Sequence, residues 1–144
     1  MSDFIIGISN TMSLYLKTDT NMIYMRKKDS GVIRFLFDHD MTDVVVTFAV
    51  KRNREDADED AVITKSFTCG ADKAVSPYEA YFFIKPEDTE EMEVEPEKDK
   101  FNYQDYYWML KIETNEGSLA DTVIPADIAN FPKFRLYYGS VPSD

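Results

Sequence analysis

From Asp43 to Phe67 the chain alternates, breaks off, and alternates again. Val44, Val46, Phe48 and Val50 fall on one side of the first run, and Val45, Thr47, Ala49 and Lys51 on the other. A period of two over eight residues predicts a strand with a more and a less apolar face. In the second run, Ile63, Lys65 and Phe67 oppose Val62, Thr64 and Ser66. Between them Arg52 to Asp60 is almost wholly charged and suits a solvated loop joining an antiparallel pair.

The same pattern recurs on both sides of this hairpin. Ile33, Phe35 and Phe37 alternate with Val32, Arg34 and Leu36, predicting a strand over Gly31 to Asp38. Tyr81 and Phe83 alternate with Ala80, Phe82 and Ile84, predicting a strand apolar on both faces over Tyr78 to Lys85. Pro86 with Glu87 and Asp88 just after it predicts one short helical turn, because acids favour the positive end of a helix. Tyr106, Trp108, Leu110 and Ile112 share one face of a long strand and form the expected core, with Phe48 as close company. Tyr107, Met109, Lys111 and Glu113 share the other. Asn115, Glu116 and Gly117 supply a tight turn into a partner strand, Leu119 to Ile124. Phe134, Leu136 and Tyr138 predict a last edge strand, and residues 141–144 a frayed tail.

Short strands, hairpin turns and one helical turn predict an all-β fold, an antiparallel immunoglobulin-like β-sandwich spanning residues 25–140. Residues 1–24 have a weaker pattern: Phe4, Ile5, Ile6 and Ile8 are apolar, and Met12, Leu14 and Leu16 alternate with polar positions before a turn at Asp19 to Asn21. The expectation is an N-terminal arm outside the sandwich.

Composition narrows the function classes. A chain of 144 residues makes one domain. Its net charge of −11 repels phosphate, and the basic cluster Arg26, Lys27 and Lys28 is short and partly offset by Asp29, which excludes nucleic acid as the expected partner. No apolar run reaches the ~18 residues of a membrane span. The lead MSDFIIGISN carries an acid where a signal peptide needs positive charge, so synthesis in the cytoplasm is expected.

Candidate chemistry is sparse. Cys69, the single cysteine, reads as packing rather than nucleophile. His39 between Asp38 and Asp40 reads as a turn residue, since neighbours along a strand point apart and metals want three or four protein ligands. Asp56, Asp58 and Asp60 open like an EF-hand loop, but Ala61 stands where Gly is needed and Phe67 where the bidentate Glu is needed. The acidic segments 54–60 and 87–99 are expected as surface loops. The reading is no enzyme, no cofactor and no metal.

Three segments carry a resemblance. Val46–Lys51 (VTFAVK) with its charged loop, Ile84–Thr89 (IKPEDT) and Tyr106–Gly117 (YYWMLKIETNEG) occur here in an order that resembles the small β-sandwich domains of tailed-bacteriophage virion proteins. The likeness is to the N-terminal domain of baseplate upper proteins and covers about residues 26–125. The acidic insert Glu93–Asn102 and the apolar segment 1–24 depart from that pattern. The resemblance implies a virion structural protein, a capsid or tail/baseplate adaptor or decoration with other virion proteins, or further copies of itself, as partners. It brings no catalytic residues. On that reading Phe4, Ile5, Ile6, Ile8, Leu14 and Leu16 are the expected assembly contacts of the arm, unless the segment folds back over its own sandwich. The alternative function is a carbohydrate- or ligand-binding module, suggested by nine tyrosines and by Tyr107 on the outer strand face.

Overall fold

The computed structural model describes residues 5–92, 103–114, 120–125 and 130–138. Phe4, the insert Glu93–Asn102, the turn Asn115–Gly117 and the tail 141–144 lie outside the described residues. Among the described residues ten strands appear, in the order β1 (Ile5–Met12), β2 (Leu14–Lys17), β3 (Met22–Arg26), β4 (Gly31–Phe37), β5 (Val45–Lys51), β6 (Ile63–Thr68), β7 (Glu79–Ile84), β8 (Tyr103–Glu113), β9 (Ala120–Ile124) and β10 (Lys133–Tyr137). One helical turn, α1 (Pro86–Glu90), follows β7. Its Asp88 carboxylate accepts the backbone N–H of Lys85 at 2.7 Å, closing the first turn.

The strands form a β-sandwich. The small sheet has the order β1-β4-β7, and the large one β2-β3-β10-β8-β5-β6 with β9 paired to β8. Seven of the eight pairings are antiparallel, and β3 with β10 is parallel. Taken in chain order, β4, β5, β6, β7, β8 and β10 occupy the B, C, C′, E, F and G positions of an immunoglobulin-like domain. Where antibody domains bridge B and F with a disulfide, this sandwich sets Phe35 of β4 against Trp108 of β8, ring centroids 6.0 Å apart. Phe48 and Phe82 complete the aromatic centre, 5.7 Å from each other, and Phe48 lies 5.6 Å from Trp108. The core face expected for β8 is the observed one: Tyr106, Trp108 and Leu110 are buried and Ile112 packs against them.

Two expectations are corrected. The first is the arm. Residues 5–24 belong to the sandwich: β1 pairs with β4, β2 with β3, and β3 with β10. One strand path changes sheets at Met12, which takes a left-handed φ of 64°. Ser13 then donates its N–H to the Ser30 carbonyl, closing a corner of the sandwich. Ile5, Leu14 and Ile23 are buried. Gly31 is needed at this corner, because a Cβ there would overlap the Cβ of Leu14. The Trp108 indole N–H is satisfied by the carbonyl of Asn21 at 2.9 Å, so the central aromatic depends on the lead segment for its one polar bond.

The second correction concerns the last strand. β10 is not at an edge but runs between β3 and β8, with Phe134 and Leu136 fully buried. An edge strand has one neighbour to satisfy; β10 has two, and the second, β3, comes from the segment read as an arm. Tyr138 falls just past the strand and is exposed.

Candidate functional site

The titratable groups singled out from sequence are tied up structurally. Cys69 is fully buried, its Sγ 3.6 Å from the Glu79 carbonyl. Burial, with a smaller contribution from the Asp40 charge, pushes its thiol up to about 11, which leaves little thiolate at neutral pH. His39 Nδ1 sits 2.6 Å from the Asp38 carboxylate on the surface. Asp40 instead accepts from Thr42, whose hydroxyl and backbone N–H hold its carboxyl below the usual range. Among the described residues, no group of three or more His, Cys, Asp and Glu converges as a metal site.

The acidic loop after β5 has an internal task. Lys51, only 4% exposed, donates from Nζ to the Asp56 carbonyl at 2.9 Å and to Asp58 Oδ1 at 2.7 Å. Lys111 stands 3.5 Å from the other Asp58 oxygen. The hydrogen bond from Lys51, opposed by partial burial, lowers the Asp58 pKa. Asp56 accepts the N–H of Asn53 at 3.0 Å. Two of the three calcium-like aspartates therefore pin the loop to a buried lysine, while Glu55, Glu59 and Asp60 point to solvent.

The outer face of the large sheet gathers tyrosines. Tyr15, Tyr24, Arg135 and Asp105 lie in one cross-strand row over β2, β3, β10 and β8. Tyr15 and Tyr24 stack at 5.4 Å. Arg135 is bidentate to Asp105, at 2.7 and 3.1 Å, and its Cζ lies 4.2 Å above the Tyr103 ring. That pairing raises the Arg135 pKa. Tyr107, the residue expected to meet a sugar, is half-buried beneath Arg54 at 5.8 Å. The tyrosines of β8 thus already carry the protein's own cations on their faces, and Tyr15 is the open ring of the row, 43% exposed.

The outer face of the small sheet is different. Register places nine residues on a three-by-three grid, with Gly7, Leu36 and Glu79 in the first row. Ser9, Arg34 and Tyr81 form the second, and Thr11, Val32 and Phe83 the third. Leu36 is 37% exposed and Phe83 39%, large apolar side chains in water on adjacent strands. Arg34 and Glu79 supply one charge of each sign. Gly7, Ser9 and Thr11 keep the β1 column low.

Of the expected assembly contacts, Phe4 lies outside the described residues. Ile5 and Leu14 are buried within their own sandwich, and Ile8 and Leu16 pack partly against its core. Ile6 alone reaches out, 65% exposed at the register shift between Ile5 and Gly7. The shift explains the weak pattern: Ile5 and Ile8, three residues apart, both face inward because the bulge changes the phase between them. Leu36 and Phe83, exposed on this face, are not among the residues singled out from the sequence. Their signal was an apolar residue on each face of β4 and β7, in strands that have only one face to bury.

Among the described residues, no helix is long and apolar enough to cross a membrane. No family model matches the chain, and no curated protein matches it.

Proposed function

We propose that this chain is a structural protein of a bacteriophage particle, an adaptor or decoration that works through protein–protein contacts and not through catalysis. The observation that carries the reading is the small-sheet face, where Leu36 and Phe83 stand exposed on paired strands on either side of the Arg34 row. Exposed apolar side chains grouped on a preformed sheet are the makings of an interface. The three segments that resemble phage virion domains support it further. Two of them lie on the paired strands β5 and β8, and the third runs from β7 into α1. The buried, protonated Cys69 and the surface His39 favour a scaffold over a nucleophilic enzyme.

A carbohydrate-binding role has one specific support, the stacked and partly open pair Tyr15–Tyr24. It is the weaker reading, because Arg135 and Arg54 already occupy the neighbouring rings. Mass spectrometry of density-purified particles tests the two together with a glycan array. The expected result is the chain in particles in stoichiometric amount and no glycan signal. A chain left entirely in the soluble lysate, or glycan binding abolished by Tyr15→Ala, would overturn the proposal.

A further inference from the structure

We propose that two copies of this chain pair two-fold through the outer face of the β1–β4–β7 sheet; the pairing deepens the assembly reading above and rests on it for its biological setting. The chain carries a net charge of −11, so most approaches of one copy to another are repulsive. The small-sheet grid is neutral, with Arg34 and Glu79 as its charges. Among the described residues neither forms a salt bridge, although they stand on adjacent strands one row apart. A face with a cation, an anion, exposed Leu36 and Phe83 in its outer rows and half-buried Val32 and Tyr81 complements itself.

The grid also fixes the axis. A two-fold through its centre would set Arg34 on Arg34, so the axis must move off centre. Running it along the strands between β4 and β7 lays β4 of one copy over β7 of the other. Val32 then meets Phe83, and Leu36 covers the stem of Glu79. Each Arg34 reaches the opposite Glu79 one row along, about 7 Å away at two strand residues, a span an extended arginine covers. Every contact occurs twice, as an isologous interface requires. The short residues of β1 flank this overlap.

Sedimentation velocity on the full chain tests the pairing. The expected result is a reversible dimer in the micromolar range. Phe83→Glu should give a monomer with an unchanged circular-dichroism spectrum, and Thr64→Glu, on the outer face of the other sheet, should leave the dimer intact. Arg34→Glu and Glu79→Arg should each weaken association about tenfold or more, and the double variant should recover most of it because the opposite charges face each other again. A wild type monomeric throughout that range, a dimer indifferent to Phe83→Glu, or a double variant no better than the singles would overturn the inference. A monomer recovered in particles refutes the pairing alone; a dimer absent from particles refutes the assembly reading alone.

Discussion

Leu14→Ala puts the integration of the lead segment to a quantitative test. Leu14 is fully buried where the strand path enters the large sheet, against the Gly31 backbone, and β2 pairs there with β3. Truncation removes three buried carbons and leaves a cavity. The corner cannot collapse freely, because its backbone is held by the Ser13–Ser30 hydrogen bond. Leucine-to-alanine changes at such sites cost about 2–5 kcal/mol. A domain of this size has about 5–15 kcal/mol in total. With about 2–4 °C lost per kcal/mol, the melting temperature should fall by roughly 6–12 °C for a cost near 3 kcal/mol. Urea titration by tryptophan fluorescence is a suitable assay, since Trp108 hydrogen-bonds Asn21 in the turn that follows β2. The midpoint should drop with little change in slope. Repeating the melt over a wide range of protein concentration guards against exchange of the segment between copies, which would make the loss concentration-dependent. A variant melting within about a degree of wild type would refute the reasoning, because an arm lying outside the core is the arrangement in which Leu14 costs so little.

Trp108→Phe should destabilise by about 1–3 kcal/mol, from the lost bond to the Asn21 carbonyl and the space left beside Phe35 and Phe48; an unchanged urea midpoint would contradict the central place given to the indole. Cys69 predicts an alkaline signature: its pKa is raised from an unfolded value near 9.0 to about 11 in the fold, so its contribution is complete below pH 9 and lost as pH rises toward 11. In that window the unfolded chain binds fewer protons, and stability should fall by about 1.4 kcal/mol per pH unit from this group. The difference between wild type and Cys69→Ala isolates it from the tyrosines and lysines, and a difference independent of pH would show that the thiol ionises freely in the folded protein.

Much of the sandwich was legible in the sequence because strand periodicity is a local property. The alternations of β4, β5, β6 and β8 each declare an inner face within six to eleven residues, and Pro86 with its following acids declares α1. Local signals could not say which strands are neighbours. β10 reads the same at an edge or in the middle of a sheet; only the arrival of β3 from more than a hundred residues earlier makes it interior. The lead segment was obscured by a bulge that shifts the phase of β1 and by Met12, where one strand path leaves one sheet for the other. Charge alone gave the acidic loop its place at the surface, but not its bond to buried Lys51, which depends on how the chain after β5 turns back. The small-sheet face shows the same division. The apolar character of Leu36 and Phe83 is written in the sequence, whereas their alignment around Arg34 and Glu79 follows from cross-strand register, which only the assembled sheet decides.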